Sequence, residues 1–592
     1  MSGLRLTCVS GTGTEQVVDW HELATPELAD GVRSDANAWI KRLRLVPYGD
    51  RSMRARFNYG ADSLWWFTEL YLHKQRQLDT ALLAVRALDA ARTRHAPARL
   101  VLSGAPWAVA AAARAWGAAR GVRVETPGAG VSGRAARRRE ATAVRWSAVR
   151  ARLLRRRARP APARVAAFVH TAFVRERDTY IGPVLDAVAA RGGPGALALI
   201  GVGPRRTFAA AGAAAGPLPA ALTPLEALSS LADLRPAVAL WRDREALAGA
   251  LTRGDAIRDA ARVDEVDLWE VLCDQLHGAA TVQWPWSARL IEESAAAIAA
   301  LSPKTVTTYA EAGGVGRALI IAARRLGVRS VGLQHGFIYR HWLNYRHEPD
   351  EMAPEGPDPG APIPAVTLAF DGYAEAYLRD AGAFPADAVQ VTGSARLEVL
   401  TRRLAGTTPA ERQATRADVD AAGADHKLVV LAAKFSEIRD DLPMLLAGLA
   451  PLPDVRLVIK AHPAETAEVY APVVAGHPGV RVVGADADLA LLLAAADLIV
   501  SKNSTVAIDG LALGIPALII GLPNNLSPFV DAGVMLGATT AEETTGALRA
   551  VLYDQQVRTR LAAAADAFAS QYGLRSQPGA TERAADHILA LD

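Results

Sequence analysis

The chain has few cysteines and no long apolar run. Two cysteines, Cys8 and Cys273, occur among 592 residues, which excludes a disulfide framework and a cysteine-based zinc site. No run of about 18 apolar residues free of charge is present, so no transmembrane helix is expected. The N-terminus lacks the apolar segment of a signal peptide. We therefore expect a cytoplasmic protein.

Several signatures of catalysis and of nucleic-acid binding are also missing. A formal net charge of +4 on this length does not indicate that the whole chain binds nucleic acid. No G-x-S-x-G elbow, Walker A lysine loop or H-E-x-x-H motif occurs, which disfavours hydrolase, NTPase and zinc-protease functions. A hydrophobic content of 51% with 22% charged residues is typical of several well-packed globular domains.

Strand and helix patterns alternate from residue 164 onwards, which predicts βαβ units and parallel sheets. The first set of predicted strands is Val165–His170, Ala196–Val202, Ala237–Trp241, Thr305–Tyr309, Ser330–Gln334, Val366–Phe370 and Val389–Thr392. The second set is Leu428–Ala432, Arg456–Lys460, Val480–Val483, Leu498–Val500 and Ala517–Ile520. The predicted division is an α/β module of residues 1–127, a basic helical linker of residues 128–163, and two doubly wound α/β domains of residues 164–392 and 393–592.

The N-terminal module is predicted from two strands, Leu43–Tyr48 and Arg99–Ser103, with a long helix between them that Asp62 caps. Trp65 and Trp66 flank the apolar stripe of that helix. They indicate core packing or, as the alternative, an aromatic platform for an acceptor. Further along the chain, the Pro- and Gly-rich residues 352–364 are typical of a surface loop.

The linker is dense in arginine between residues 134 and 159. Such a helix can be a solvated face, or it can dock on anionic lipid or on a polyanionic glycan acceptor. Nucleic acid is not expected as a partner, because Trp146 is the only aromatic residue among these arginines and one ring is a poor stacking platform. Peripheral contact with the inner face of a membrane is therefore one expected use.

Polar residues follow two predicted strands of the last domain. Lys460 and His462 come at the end of one strand, and Ser504 and Thr505 follow another at the start of a helix. Ligands bind at the carboxyl ends of strands in open parallel sheets, and a helix N-terminus favours an anion. The four side chains therefore predict an anion site, although loop capping by His462 and helix capping by Ser504 are alternatives. Asp509, further into the helix, can bond a ribose or face solvent.

Two strand ends of the preceding domain carry candidate catalytic groups. Glu311, in a Gly-rich turn, is placed where a general base is useful, although the turn can be purely structural. His335, in Gly332-Leu-Gln-His-Gly336, is a candidate ligand contact or base, or a loop histidine with no ligand. A metal site of His335, His341 and His347 lacks the usual i, i+4 spacing.

The motifs His462-Pro463, Ser504-Thr505, Asp509-Gly-Leu-Ala-Leu-Gly514-Ile-Pro516 and Val391-Thr-Gly-Ser-Ala-Arg-Leu397 resemble those of GT-B fold glycosyltransferases. The similar group comprises bacterial capsule and surface-carbohydrate enzymes, among them Kdo transferases, polysialyltransferases and CDP-glycerol glycerophosphotransferases. The resemblance covers roughly residues 164–590. It implies two Rossmann-like domains in a GT-B arrangement, with the small α/β module preceding them.

The resemblance also implies roles for individual residues. His462, Ser504 and Thr505 would bind the phosphates of a nucleotide-activated sugar, with Lys460 beside them. Asp509 would stand where many such enzymes have a glutamate near the ribose. The transfer would need no cofactor and no metal. The catalytic base differs between such families, so Glu311 and His335 remain candidates from their positions alone. The acceptor would be a cell-surface polysaccharide or a lipid-linked glycan.

Two other functions remain open from the sequence. The first is a nucleotide-sugar epimerase of the same fold, which acts on a small soluble substrate. The second is a non-catalytic glycan-binding or assembly protein. The N-terminal module and basic linker favour a transferase with a large or membrane-linked acceptor.

Overall fold

The fold is described from a computed structural model, which describes residues 4–153, 161–170, 181–202, 222–421, 423, 426–462, 465–575 and 578–590. Within these residues the chain forms sheets of four, seven and six strands and three two-stranded hairpins. The two larger sheets are parallel and doubly wound. The predicted fold class, two Rossmann-like domains in a GT-B arrangement after a small α/β module, is confirmed.

The N-terminal module has a four-stranded sheet of order β2-β1-β7-β8. Its strands, with those of two hairpins, are β1 Arg5–Val9, β2 Glu15–Val18, β3 Pro47–Tyr48, β4 Arg51–Ser52, β5 Asn58–Tyr59, β6 Asp62–Ser63, β7 Arg99–Ser103 and β8 Arg123–Glu125. Its helices are Trp20–Leu23, Pro26–Leu43, Met53–Arg56, Trp65–Gln75, Gln77–His95 and Trp107–Arg120.

Two local predictions for this module are wrong. The predicted strand Leu43–Tyr48 is mostly the end of the helix Pro26–Leu43 and a loop, since only Pro47–Tyr48 is extended. Asp62 does not cap the helix that begins at Trp65; its buried carboxylate instead pairs with Arg324 and Arg325 of the next domain. The strand Arg99–Ser103 is confirmed.

The central domain is a seven-stranded parallel sheet of order β11-β10-β9-β14-β15-β16-β17. Its strands, with one hairpin, are β9 Val165–His170, β10 Leu197–Val202, β11 Leu222–Pro224, β12 Arg262–Val263, β13 Val266–Asp267, β14 Thr305–Thr308, β15 Arg329–Leu333, β16 Val366–Ala369 and β17 Val389–Val391. Its α-helices are Gly182–Gly192, Arg235–Leu251, Asp255–Asp259, Trp269–Gly278, Trp284–Leu301, Gly314–Arg325, Pro349–Met352 and Gly372–Asp380.

Six of the seven strands predicted in this domain are found. The strand predicted at Ala237–Trp241 is wrong, because these residues lie inside the helix Arg235–Leu251. The short run Ala-Val-Ala-Leu-Trp is apolar enough for a buried strand, and periodicity does not separate the two over such a length. The sheet instead takes β11, Leu222–Pro224, as its edge strand.

The C-terminal domain is a six-stranded parallel sheet of order β20-β19-β18-β21-β22-β23. Its strands are β18 Lys427–Ala432, β19 Val455–Lys460, β20 Val480–Val483, β21 Leu498–Ser501, β22 Ala517–Ile520 and β23 Leu536–Ala538. Its helices are Ala395–Ala405, Pro409–Asp418, Phe435–Ile438, Leu442–Leu449, Ala471–Val474, Leu489–Ala495, Thr505–Leu513, Ser527–Asp531, Ala541–Tyr553, Gln555–Tyr572 and Ala580–Leu589. All five strands predicted here are confirmed.

The last helix, Ala580–Leu589, leaves this domain and packs on the central one. Ala584, Ala585, Ile588 and Leu589 belong to the same buried cluster as Val165. Arg164 and Arg329 donate to backbone carbonyls of this helix. The C-terminal residues of the predicted domain 393–592 thus belong structurally to the central domain.

The N-terminal module and the central domain share one hydrophobic core. That buried cluster runs from Leu6 and Trp65 in the module to Phe168, Val306 and Ala322 in the central domain. Trp65 and Trp66 are 1% and 0% exposed, which supports the core-packing interpretation and leaves no ring free as an acceptor platform. The hydrophobic core therefore continues across the predicted boundary between the two parts.

A buried network of charged groups crosses the same interface. Glu69 of the module, fully buried, accepts hydrogen bonds from Lys41 Nζ at 2.8 Å and from Arg317 of the central domain at 2.5 Å. Lys41 also donates to Glu351 at 2.7 Å. The two cations hold the pKa of Glu69 below its usual range even though burial alone raises it. Each buried charge has an opposite partner, as its burial requires.

The predicted surface loop 352–364 is instead tied into the module. Asp358 is 1% exposed and accepts from Arg54 Nε at 2.8 Å and from the Trp66 ring N–H at 3.1 Å. Arg54 also donates to the backbone carbonyls of Asp350, just before this segment, and of Ala353 within it. A Pro- and Gly-rich composition correctly indicates irregular backbone here, but it does not reveal that the module covers the segment.

The linker forms the helix Arg134–Leu153, and one of its faces is docked. Arg137 is buried and pairs with the buried Asp274, which Arg134 also contacts at 3.2 Å. Arg138, Arg139 and Trp146 stay exposed. The arginines predicted at residues 154–159 lie outside the described residues. Among the described helices, none is both long and apolar enough to span a bilayer.

We expect Glu69→Gln to destabilise the protein by about 3–5 kcal/mol, because it leaves Lys41 and Arg317 buried without a counter-charge. The free energy of unfolding from chemical denaturation checks this. The control is Glu375→Gln, which removes a partly exposed pair with Arg379 and should cost at most about 1 kcal/mol. Equal stability of the two variants would contradict the role given to the network.

Candidate functional site

A cleft of about 960 Å³ lies between the central and C-terminal domains. Loops at the carboxyl ends of strands from both parallel sheets form its walls. Its lining residues are His335, Gly336, Phe337, Tyr339, Trp342, Arg396, Val399, Leu400, Arg403, residues 432–434, Glu437, residues 460–462, residues 485–490 and residues 502–506.

Strand order explains why the cleft is where it is. In the C-terminal sheet the chain runs from β18 outwards to β19 and β20, then returns to place β21 on the other side of β18. This is a doubly wound strand order, in which ligands bind at the point where the order reverses. Lys434 follows β18 and Lys502 follows β21, so both cations lie at that point.

The two predicted residues after β19 line the cleft. Lys460 donates from Nζ to the carbonyl of Ala485 at 2.9 Å. Burial lowers the pKa of its ammonium group. His462 is exposed at the cleft, while its neighbour Pro463 lies outside the described residues. A lysine and an imidazole at one strand end can both donate to phosphate oxygens.

Ser504 and Thr505 also line the cleft, at the start of the helix Thr505–Leu513. Ser504 is the N-cap and accepts from the Val506 N–H at 3.3 Å, so the helix-capping interpretation is correct for this side chain. The same geometry points the helix N-terminus, with its partial positive charge, into the cleft. Capping and anion binding are compatible here, because a hydroxyl that accepts can still donate.

Thr505 has a further function as a contact between the two domains. Its Oγ1 accepts from the Phe337 N–H at 3.3 Å, and Tyr339 donates from Oη to the Asn503 carbonyl at 3.2 Å. Both contacts join the loop after β15 to the loop after β21. A ligand bound at Thr505 would therefore also touch the opposite wall.

Asp509 lies beside the cleft but does not line it. It is 5% exposed and pairs with Arg396, which itself lines the cleft. Burial raises the pKa of its carboxyl group and Arg396 opposes this shift. Asp509 therefore does not face solvent, and its predicted ribose contact would have to be made through, or in competition with, Arg396.

His335 faces the cleft from the central domain. Its ring lies 5.4 Å from that of Tyr309, which lies 5.6 Å from the ring of His170 at the end of β9. Burial, together with a smaller effect of the nearby His170, lowers the pKa of His335 to about 4. Its Nδ1 has no hydrogen-bond partner among the described residues. The ring is thus neutral at physiological pH and can accept a proton.

Glu311, the other predicted base, does not line the cleft. It is 2% exposed and accepts from Tyr345 Oη at 2.9 Å. Burial raises the pKa of its carboxyl group to about 7. The Gly-rich turn beside it has a structural cause: a Cβ on Gly316 would lie 2.1 Å from the Ala310 carbonyl oxygen. The helix and turn are in van der Waals contact there, which favours the structural interpretation of this turn.

The two histidines that follow His335 in the sequence lie against carboxylates of the protein. His341 contacts Asp30 of the N-terminal module at 2.9 Å, and His347 is buried near Glu351. Across the described part of the chain, no group of three or more His, Cys, Asp or Glu side chains is placed to hold a metal ion. The structure therefore does not bring His335, His341 and His347 together.

Sequence reasoning missed several cations of the cleft. Lys434 follows its strand by the same rule that identified Lys460, so testing every strand end for a basic residue would have found it. Lys502 stands within the recognised cluster but pairs with Asp441 at 2.5 Å. Arg396 and Arg403 come from the helix Ala395–Ala405, which follows the crossing between the domains, and no local pattern marks them as site residues.

The chain is similar in fold to solved structures at low sequence identity. The S. aureus MnaA–UDP co-structure is 12% identical, with 72% of this chain and 96% of that chain covered and a TM-score of 0.44. Anabaena HepE in complex with UDP and glucose is 14% identical, with 72% and 99% covered and a TM-score of 0.43. The wall teichoic acid polymerase TagF is 10% identical, with 76% and 93% covered and a TM-score of 0.41.

No family model and no curated protein sequence matches the chain. The similar structures include both glycosyltransferases and UDP-GlcNAc 2-epimerases.

Glu311 gives a pH-dependent prediction. Its folded-state pKa of about 7 lies above its unfolded value, so its stabilising contribution is complete below the unfolded pKa and is lost as the pH rises through the folded pKa. Glu311→Gln replaces the carboxyl group with a neutral amide, which resembles the protonated carboxyl group at every pH. We expect the stability of the variant relative to wild type to rise by about 2–3 kcal/mol between pH 5 and pH 8.

Chemical denaturation at the two pH values measures this difference. The control is Glu27→Gln, which changes an exposed carboxylate and should leave the difference between variant and wild type constant. A pH-independent effect of Glu311→Gln would show that the carboxyl group is not held in a water-poor site.

Proposed function

We propose that the protein is a nucleotide-sugar-dependent glycosyltransferase that uses the interdomain cleft. The donor's phosphates bind the C-terminal domain, and the acceptor approaches from the central domain. The observation that carries this proposal is the convergence of Lys434, Lys460, His462 and the Ser504-Thr505 helix start at one strand-order reversal. A cleft of about 960 Å³ has room for a nucleoside diphosphate with a sugar.

The chemistry of these groups suits a phosphate that leaves during transfer. As the bond between the sugar carbon and the phosphate oxygen breaks, negative charge builds on the phosphate. Lys460, His462 and the helix N-terminus lie where they can stabilise that charge by hydrogen bonds fixed in advance. These groups and Lys434 supply positive charge around the leaving phosphate. The proposed transfer therefore uses no metal ion and no cofactor.

His335 is the better candidate for the base. It lines the cleft, whereas Glu311 is enclosed beneath the sheet edge. In the proposed step an acceptor hydroxyl gives its proton to the neutral imidazole as its oxygen bonds to the sugar carbon. The nucleotide phosphate leaves with the electron pair of the broken bond. The hydrogen bond from the Phe337 N–H to Thr505 Oγ1 joins the two walls of the cleft.

The acceptor is proposed to be a cell-surface polysaccharide or a lipid-linked glycan. The exposed residues Arg138, Arg139 and Trp146 on the helix Arg134–Leu153 support contact with an anionic membrane, where such an acceptor would be held. The protein would then act in the cytoplasm at the inner face of the membrane. An epimerase would need none of this surface, and a glycan-binding protein would not need the phosphate-binding cations.

Nucleotide binding tests the proposal. We expect one of CMP, CDP, UDP and GDP to raise the melting temperature, because a ligand of the folded state stabilises it by about 2.7 kcal/mol at a concentration of 100 Kd. His462→Ala should weaken that binding about 10- to 100-fold by removing a charge-assisted hydrogen bond. His477→Ala, a histidine of the same domain outside the cleft, is the matched control. A lack of any shift would refute the transferase and epimerase functions together.

Kinetics of the two candidate bases separate their roles. We expect His335→Ala to lower kcat by about 100- to 10,000-fold, as for loss of a general base, with nucleotide affinity unchanged. Glu311→Gln should change kcat little. Product analysis by NMR with a donor alone tests the epimerase function, since an epimerised donor would appear without an acceptor. A fully active His335→Ala enzyme would remove His335 from the mechanism.

A further inference from the structure

A second cavity, of about 340 Å³, opens beside the cleft and is lined mainly by the N-terminal module. We call it the basic cavity, and its charged lining consists of Arg33, His73, Lys74, Arg76, Asp79 and His341. Tyr339 and Trp342 line both spaces. The two cavities therefore share a wall.

The basic cavity has more positive than negative charge. Among the described residues, no carboxylate forms an ion pair with Arg33, Lys74 or Arg76. Asp79 is the one acidic residue of the lining, and its Oδ1 accepts from the Thr80 N–H at 2.8 Å. The nearby Asp30 is engaged by Arg340 at 2.6 Å and by His341 at 2.9 Å. Three cations thus face one carboxylate.

The side chains of Arg33, Lys74 and Arg76 are exposed to solvent around one cavity. Partial loss of water there lowers the pKa of Arg33 and repulsion from Arg76 lowers it further, while Asp79 and Asp30 oppose this shift. Loss of water likewise lowers the pKa of Lys74, with a further decrease from Arg317. Arg76 has a left-handed backbone, with φ of 49°, because it ends the helix Trp65–Gln75. A bound anion would bring further opposite charge to these three cations.

The basic cavity also lies close to the candidate base. The charge of Lys74 adds to burial in lowering the pKa of His170. The ring of His170 is followed by those of Tyr309 and His335 at centroid distances of 5.6 and 5.4 Å. A group held at Lys74 is thus on the side of the cleft where His335 would receive a proton.

We propose that the basic cavity binds an oxyanion group, a phosphate or carboxylate, of the glycosyl acceptor and so positions the acceptor's hydroxyl at His335. This inference rests on the proposed function for its acceptor role. Arginine forks and a lysine point charge suit both oxyanions. The N-terminal module would then be a substrate-selecting part of the enzyme, built from the helices Pro26–Leu43, Trp65–Gln75 and Gln77–His95.

Binding of small probes to the full-length protein tests the proposal. The probes are glucose 1-phosphate, glucuronic acid and glucose, each titrated calorimetrically. We expect the two anionic probes to bind and glucose to bind at least about tenfold more weakly, since hydrogen bonds to charged groups carry the affinity. A preference between the two anions identifies whether phosphate or carboxylate is the natural group.

The test variant is the double substitution Arg33→Gln/Arg76→Gln. Its control is Arg92→Gln, which changes an exposed arginine on the same helix as Asp79. The double variant should bind the anionic probes at least about tenfold more weakly. Arg92→Gln should match wild type. Equal binding of anionic and neutral probes, or full binding by the double variant, would overturn the proposal.

His462→Ala separates this site from the donor site. It should weaken nucleotide binding and leave probe binding unchanged, whereas weakening of both would place the probes in the donor cleft and overturn the proposal. Nucleotide titrations of the same samples keep the two hypotheses distinguishable. Anion binding that persists in a protein that binds no nucleotide would refute the transferase function, and with it the acceptor role, while leaving the anion site in place.

Discussion

The buried carboxylate of Glu69 is the group on which the docking of the N-terminal module against the central domain depends. It lies at 0% exposure between Lys41 of the N-terminal module and Arg317 of the central domain. Such a network adds little net stability compared with apolar packing, but breaking it is expensive. Its value is in orientation, because only one docking of the module gives all three charges their partners.

This docking has a functional consequence. Because module and central domain share one core, the helices around Arg33, Lys74 and Arg76 are fixed relative to His335. The last helix, Ala580–Leu589, joins the same unit. The C-terminal domain with Lys460 and Ser504 meets that unit across the cleft through contacts such as those of Thr505 and Tyr339. The proposed donor and acceptor sites thus lie on different units.

The fold of the two parallel domains could largely be predicted from sequence. Runs such as Leu428–Ala432 and Val480–Val483 are short, apolar and bounded by breakers, and they are strands. Prediction failed where tertiary contacts decide the outcome. Ala237–Trp241 is helical, and Asp62 pairs with Arg324 and Arg325 across 262 and 263 residues of sequence rather than capping a helix. Local pattern contains no information on such partners.

The candidate site was predictable to a similar extent. Lys460, His462, Ser504 and Thr505 follow strand ends, and the rule that ligands bind there brought them correctly to one cleft. Glu311 and His335 both follow strands too, yet only His335 reaches the cleft, since the direction of a side chain in a loop depends on packing. The basic cavity is built from residues of three helices and could not be seen in any single motif.

Hydrogen–deuterium exchange with and without the stabilising nucleotide tests the central claim, that the interdomain cleft holds the donor's phosphates. The account predicts slower exchange in peptides that cover Lys460–His462 and Lys502–Val506, with smaller protection around His335 and none in the helix Arg134–Leu153. Protection confined to residues outside the cleft, with these peptides unchanged, would contradict it.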